Sequence, residues 1–580
     1  MKVALLSVPG LSPFSPPLSL LSLAAYLTNN GVDVTVIDVS IEYLHYRLDP
    51  DRSAGCFHVS TETARRVSTI ADMTGSDLSF RDRVARIAEQ QQQILERLRA
   101  VWRPTGFLLN RTARDFCEVI DAVSDTLFFL SLPLRTPSGS PHGNALSLNR
   151  PWVCGSFSLR GPDPFAEYCE SVLIPMLRKS APDLAGVSFS YAIQAKNGLT
   201  LIDEIVRNLK VPVVVGGSLF YYLSSAGANP DGGNSEALQR MAAFLRPFGV
   251  LGEGEKPFLQ LCRRIENGQT TTDIPGLAWR RGEQVCFSKP SVPVDMVELP
   301  PIELDQVPIG QKYLSPIRMA PLMTSRGCYW NQCSFCDHAG VIGSKWREMH
   351  PERVYRNLER YSQKYGIEFV LFCDESTSPR MLKGLGELIS SNQLAILYGG
   401  MARFEKSLLT LINASAAAGC RFLAFGLESA CQRIVHLMNK GFLVEDAEQV
   451  LLMCKRHNIT VQLFTMFGFP TEKLSEAEET INFMERNHDR FGTFRAVPWF
   501  FRDSSPIGRN PQLFGLESQS ASGTDEGSRF RLREGISQEV AAALIRELGH
   551  NDRLKGKMIG NAQDDLRQEE YHIIRCLCDE

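Results

Sequence analysis

Thr324-Ser325-Arg326-Gly327-Cys328-Tyr329-Trp330-Asn331-Gln332-Cys333-Ser334-Phe335-Cys336-Asp337 places three cysteines on one short segment, immediately after an apolar stretch that reads as a strand. Thiolates this close, on a loop able to wrap, are what zinc or an iron–sulfur cluster demands. A structural zinc site closes with four ligands. The nearest fourth candidates are Asp337, His338 and the distant Cys373, and the chain has no second paired-cysteine knuckle to complete such a site. A cubane held by three cysteines instead leaves one iron without a protein ligand, open to a small chelating molecule. The missing fourth thiolate is therefore informative.

Outward from this loop runs a series of alternating strands and helices. Strands are expected at 322–324, 369–373, 396–399, 422–426, 460–466 and 494–497, each followed by a helical stretch except the last. Six units are too few for a complete eight-fold barrel and suit a partial one. The arrangement resembles the radical S-adenosylmethionine (SAM) superfamily, whose three cysteines occupy the loop after the first strand of a partial β/α barrel. That family's usual spacing is three residues and then two. Here four residues separate Cys328 from Cys333 and two separate Cys333 from Cys336, with the aromatic Phe335 just before the third cysteine as the family favours.

Further matches lie in family order at the strand ends. Phe372-Cys373-Asp374-Glu375 resembles the segment that meets the amino group of the methionine moiety. Arg403 is placed to meet a carboxylate. Gly426-Leu427-Glu428-Ser429, with Met438-Asn439-Lys440-Gly441 downstream, resembles the fourth-strand signature, in which Glu428 meets the ribose or the methionine end. Phe467-Gly468-Phe469-Pro470-Thr471-Glu472 resembles the turn that supports adenine through its backbone. The resemblance covers roughly 318–490. It implies a [4Fe-4S] cluster on Cys328, Cys333 and Cys336, and SAM contacted by Asp374, Glu375, Arg403, Glu428, Ser429, Gly468 and Phe469. It also implies one-electron cleavage of SAM to methionine and a 5'-deoxyadenosyl radical that removes a substrate hydrogen. Cys373, at a strand end, reads either as a hydrogen donor to a substrate radical or as a small packed side chain.

The amino-terminal part alternates in the same way, with strands expected at 3–7, 32–39, 184–189, 211–215 and 250–251 and helices at 16–27, 194–209, 238–245 and 257–265. Such alternation implies a parallel sheet whose ligands sit beyond the carboxyl ends of the strands. No Gly-x-Gly-x-x-Gly follows the first strand, and 252–256 lacks the Gly-Lys-Ser/Thr ending of a phosphate loop. With Pro16-Pro17-Leu18, the 186–190 strand end, 213–217 and Gly252-Glu253-Gly254-Glu255, this region resembles the cobalamin-binding domain fused ahead of many radical SAM barrels. The resemblance implies cobalamin held near Ser188, Tyr191, Gly216, Gly217, Ser218 and Glu253. No histidine sits in an Asp-x-His-x-x-Gly motif, so cobalt is expected to lack a histidine ligand from this domain. A degenerate sheet kept as a docking platform is the plainer alternative.

The chain of 580 residues carries 62 basic and 65 acidic side chains for a net charge of -3, which gives no nucleic-acid footprint. No apolar run approaches the ~18 residues of a membrane span, and 15 scattered cysteines are not a disulfide framework. A cytoplasmic protein with neither nucleic-acid nor membrane partners is expected. The expected architecture is α/β: a Rossmann-like cobalamin-binding domain over 1–268, with a helical insertion at about 45–170, and a connector over 269–318 containing a small hairpin. A partial (β/α)6 radical SAM barrel over 319–500 and a small C-terminal region over 501–580 complete it. Within the insertion, a long amphipathic helix is expected at 76–102 and a loop at 135–151. The expected function is cobalamin-dependent methylation of an unactivated carbon in a peptide or natural-product substrate, with an external electron donor such as flavodoxin or ferredoxin. Epimerisation, cyclisation or rearrangement without methyl transfer is the alternative within the same chemistry. A non-catalytic metal-binding or redox-sensing protein is the alternative from another class.

Overall fold

The computed structural model describes residues 1–52, 91–103, 106–107, 112–131, 163–191, 194–218, 242–282, 284–337, 345–502, 504–518, 530–559 and 569–579. The expected loop at 135–151, the first part of the helix at 76–102, part of the helix at 238–245 and His338 lie outside the described residues. Two sheets organise the chain, and the α/β class expected from the alternation is what they form.

The first sheet contains β1 (Lys2–Ser7), β2 (Asp33–Ile37), β3 (Leu184–Ser188), β4 (Val213–Gly216), β5 (Pro247–Val250), β6 (Leu277–Arg281) and β7 (Gln284–Phe287), in the order β2-β1-β3-β4-β5-β6-β7. The first five strands are parallel, and the β6–β7 hairpin adds an antiparallel edge. The hairpin expected within the connector thus completes this sheet. Both faces of β1 are covered, which is why it reads as an unbroken apolar run. Val3 and Leu5 pack with Leu20, Leu21 and Phe258, while Ala4 and Leu6 pack with Leu201, Ile202 and Phe165. The order reverses between β1 and β3, so the ligand crevice of such a sheet lies beyond the carboxyl ends of those two strands.

The second sheet holds β8 (Met319–Leu322), β9 (Phe369–Phe372), β10 (Leu397–Ala402), β11 (Cys420–Glu428), β12 (Thr460–Phe467) and β13 (Thr493–Pro498), all parallel and in chain order. β8 begins earlier than expected because it is an edge strand. Pro321, which has no N–H to give, is tolerated there opposite Leu371. The connecting helices start with proline in the first turn, as at Pro351 and Pro379, the latter capped by Ser378 Oγ accepting from the Met381 N–H at 3.0 Å.

Alternation along the strands separates two faces. Val370, Leu423, Leu463 and Phe494 point into the core beneath the helices. Phe369, Leu371, Met401, Phe422, Ala424 and Phe464 share the concave face with Leu98, Phe116 and Ile120. The described helices of the expected insertion, Gln91–Val101 and Ala113–Ser131, therefore fill the foot of that concavity. They are joined by the C-terminal helix Glu569–Asp579, whose Tyr571 stacks on Phe116 and donates to Cys117 Sγ at 3.0 Å. The helix Gln538–His550 covers β12 and β13 from outside. Among the described residues no helix is long and apolar enough to cross a membrane.

Candidate active site

The cysteine loop leaves β8 under tight control. Thr324 and Ser325 donate their backbone N–H groups to Asp374 Oδ1 at 2.7 and 3.0 Å, and the Thr324 hydroxyl donates to Oδ2. Asp374, just past β9, is thereby buried. Burial pushes its carboxyl up to about 6 against the opposing pull of these donors. Arg326 then turns toward the first sheet, and Gly327, at φ +79°, opens the loop.

The four residues between Cys328 and Cys333 are individually anchored. Tyr329 donates to Glu405. Trp330 donates its Nε1–H to the Asn439 carbonyl at 2.8 Å, and its ring lies 4.5 Å from the Arg403 guanidinium carbon. Asn331 takes a left-handed conformation at φ +49°, which lets the longer loop double back, and the Gln332 carbonyl accepts from Asn439 Nδ2 at 3.0 Å. Ser334 donates its N–H to the Met438 carbonyl and its hydroxyl to the Leu437 carbonyl, both at 2.9 Å. The turn after the short helix Gln432–Leu437 thus serves as the template of the loop. Gly441 is its tightest point, since a Cβ there would lie 2.2 Å from the Trp330 ring.

Cations frame the thiols. An Arg403 Nη1–H points to Cys333 Sγ at 3.8 Å, and its other arm donates to the Lys440 carbonyl. Lys440 is buried, 3.2 Å from Glu428 Oε1. Glu428 closes β11 at a register shift against β12 and holds φ +62°, a left-handed conformation uncommon outside glycine. Gly426 supplies the room for this pair, because a Cβ there would lie 2.5 Å from Glu428 Oε1 and 2.8 Å from Lys440 Nζ.

The remaining strand-end residues fall into two groups. Cys373 is exposed and Glu375 half-buried at the end of β9. Ser429 is fully buried and spends its hydroxyl on Thr480 at 3.2 Å and on the Cys431 N–H at 3.1 Å, so it fastens the turn. After β12, Gly468 at φ +80° donates to Glu472 Oε2 at 2.5 Å, while Phe469 packs edge-on against Trp499. Burial pushes the Glu472 carboxyl up to about 7.

At the carboxyl ends of the first sheet, Gln194 bridges the β1/β3 crevice. Its Nε2 donates to the Val8 carbonyl at 2.6 Å, and its Oε1 accepts from the Ser190 and Tyr191 N–H groups. Tyr191 is 59% exposed there. Gly217, at φ +100°, approaches the Phe189 carbonyl so closely that a Cβ would sit 2.1 Å from its oxygen, and Ser218 donates to the Ser190 carbonyl at 2.9 Å. Ser188 and Gly216 pair across β3 and β4. Glu253 is placed differently, facing the entry to the cysteine loop, where it meets Arg326 at 2.8 Å and Arg347. Burial would raise its carboxyl, but the two guanidinium groups outweigh burial and hold it below its ordinary value.

Residues 322–484 match the family model described as the Radical SAM superfamily. The chain carries a radical SAM domain. It is 28% identical over 321 residues to an uncharacterised methyltransferase of Pyrococcus horikoshii, an alignment covering 54% of this chain and 67% of that protein. In fold it resembles the radical SAM methyltransferase TsrM of Kitasatospora setae, solved with cobalamin and a [4Fe-4S] cluster bound, at a TM-score of 0.52 and 16% identity over 90% of this chain and 78% of TsrM. It also resembles the cobalamin-dependent radical SAM enzyme OxsB, solved with aqua-cobalamin and SAM bound, at a TM-score of 0.58 and 14% identity over 95% of this chain and 67% of OxsB.

The expectation of a radical SAM enzyme is borne out, with the cluster and SAM as the cofactors of that superfamily. The donor set fits a thiolate-held cluster. Cys328, Cys333 and Cys336 are partly exposed thiols outside any disulfide, on one loop flanked by Arg403 and Lys440. Among the described residues no three Cys, His, Asp or Glu side chains close into a cage for a single ion. Sequence patterns assign no individual role to Arg326, Lys440 or Glu255 in the radical SAM domain and its border. The extra residue in the cysteine spacing was the one signal that pointed toward Trp330.

Proposed function

We propose that this chain is a cobalamin-dependent methyltransferase acting on an unactivated carbon of a peptide or small natural-product substrate. What carries the reading is the junction between the sheets. The segment at 252–255 and the entry to the cysteine loop are held together by Arg326, with Glu253 at 2.8 Å and Glu255 at 2.5 Å, so the carboxyl-end side of the first sheet is fixed against that loop. When bound, the cluster and SAM supply a substrate radical, and cobalamin supplies a methyl carrier.

In this reading residues 1–268 form the cobalamin-binding domain, 269–318 the connector, 319–500 a partial (β/α)6 barrel and 501–580 a C-terminal region, in a cytoplasmic enzyme served by a flavodoxin or ferredoxin. Cys328, Cys333 and Cys336 hold the cluster. Glu428 meets the ribose or methionine end, steadied by Lys440, and Arg403 and Glu375 meet the amino-acid end. Asp374 keeps the loop entry in register, and Ser429 keeps the fourth-strand turn. Gly468 and Phe469 present backbone to adenine. Ser188, Tyr191, Gly216, Gly217 and Ser218 line the cobalamin crevice, with Glu253 holding it against the loop. Support comes from the name of the Pyrococcus relative, a methyltransferase, and from the cofactors bound in TsrM and OxsB.

The test is anaerobic reconstitution with iron, sulfide and cobalamin, followed by reduction with SAM and product analysis. S-adenosylhomocysteine together with a methylated product supports methyl transfer, and 5'-deoxyadenosine without methylation overturns it in favour of another radical outcome. Replacing any of the three cysteines by alanine is expected to abolish the cluster's visible absorbance.

A further inference from the structure

The cations around the cysteine loop all have partners on their terminal nitrogens, although the Nε of Arg403 is also enclosed without one. Arg326 is held by two carboxylates, Lys440 by Glu428, and Arg403 by the Lys440 carbonyl and the Trp330 ring. Arg495 is different. Its strand neighbours Phe494 and Ala496 belong to the core beneath the helices, so alternation places Arg495 on the concave face of β13. Its register partner there is Phe464, one of the partly buried residues of that face. Arg495 is half-buried, its Nε is fully enclosed with no hydrogen-bond partner, and no carboxylate pairs with it among the described residues.

Leaving a buried donor of a charged group unmade costs more than a neutral one, so such a group is normally satisfied. The position narrows what would satisfy it. Phe464 is also the register partner of Gly426, so the row Arg495, Phe464, Gly426 runs along the concave face to the Glu428–Lys440 pair. Two inter-strand spacings, about 10 Å, separate its ends. Between Arg495 and the Glu428–Lys440 pair stand the Phe464 ring and Gly426, an apolar shelf ending in a fork-shaped cation. A planar guanidinium prefers an oxyanion that can accept two hydrogen bonds.

We infer that Arg495 anchors a carboxylate or phosphoryl group of the substrate, holding the rest of the molecule along Phe464 toward Gly426. This rests on the radical SAM reading for what lies at the far end of the row, and it adds that the substrate is anionic. Arg495 is a binding residue, one row-length away from the reacting carbon.

The test uses the full-length reconstituted protein and three probes: phenylacetate, phenylphosphonate and the neutral phenylacetamide, with binding measured by calorimetry. Wild type is expected to bind at least one anion, and Arg495→Gln to bind it about ten- to a hundredfold more weakly. Arg495→Lys should fall between them, and phenylacetamide should not distinguish the variants. Which anion is preferred separates a carboxylate from a phosphoryl substrate. Labelling with phenylglyoxal, read by peptide mass spectrometry, should modify Arg495 and be blocked by the bound anion. No anion binding to wild type, equal binding to Arg495→Gln, or labelling indifferent to the anion overturns the inference. Iron content is measured on the same samples. Failure of the wild type to take up iron counts against the cluster instead, and leaves the anion comparison standing.

Discussion

Arg326 stands two residues ahead of Cys328 and divides its guanidinium between Glu253 at 2.8 Å and Glu255 at 2.5 Å, both at the carboxyl end of the first sheet. All three groups are largely buried. A buried charge set of this kind adds little over a well-packed apolar substitute, but losing one member strands the others. Its consequence is geometric: the entry to the cysteine loop cannot move without the segment that follows β5 of the first sheet.

Arg326→Met is accordingly expected to cost about 3–5 kcal/mol, because it leaves Glu255 without this cation while Glu253 keeps one guanidinium, Arg347, instead of two. Restoring neutrality with Glu255→Gln in the same chain should recover part of the loss. The denaturant midpoint of the two variants measures this. Equal stability of the single and double variants would mean that the pair does not couple the sheets.

Gly441 and Trp330 make a second prediction. Gly441→Ala adds a Cβ 2.2 Å from the indole ring at a φ of +73°, so it strains the backbone and displaces the ring together. The strain alone is worth about 1–2 kcal/mol. Reduced iron content and an altered cluster EPR signal are expected for Gly441→Ala. In a Trp330→Ala background the same change should cost only the strain, so the two substitutions should be clearly non-additive. An EPR spectrum identical to wild type in both single variants would remove Trp330 as a positioning residue.

These two contacts also explain what sequence reading could and could not reach. The six strands of the second sheet were legible because each is a short apolar run whose alternation survives in one chain segment, and β8 was displaced only because Pro321 was read as a boundary and not as an edge residue. The cysteines were legible because their chemistry is written in spacing alone. Arg326 and Glu253 lie 73 positions apart and Trp330 and Asn439 lie 109 apart, so nothing local marks them as partners. The helix Ala113–Ser131 has Phe116, Val119, Ile120 and Val123 on one face, but what that face covers, the foot of the second sheet's concavity, is decided only by tertiary packing.

Glu472 gives a pH prediction with a definite sign. Burial raises its folded-state value to about 7 from 4.5, so the folded chain holds this proton more tightly than the unfolded chain. The associated stability is present in full below the unfolded value and is lost as pH rises through about 7, a change of about 3 kcal/mol. Glu472→Gln mimics the protonated form. Thermal unfolding measured from pH 5 to 8 should show a falling contribution in wild type that is missing in the variant. Parallel curves would place the proton elsewhere.

Glu428 and Lys440 separate binding from stability. The left-handed backbone of Glu428 costs about 1–2 kcal/mol for a non-glycine residue. Strain of this size persists where the surroundings over-determine it, and here it aims a carboxylate along the concave face. Glycine at 428 removes the strain but strands Lys440, which is 6% exposed, so the informative variant is the double change Glu428→Gly with Lys440→Met, which removes strain and charge together. That protein is expected to unfold no more easily than wild type while its affinity for SAM, measured by equilibrium dialysis of the reconstituted protein, falls at least about tenfold, one lost hydrogen bond to a charged group. A double variant that is less stable than wild type yet binds SAM as tightly would make the pair a structural brace, and the strain at Glu428 would then need another cause.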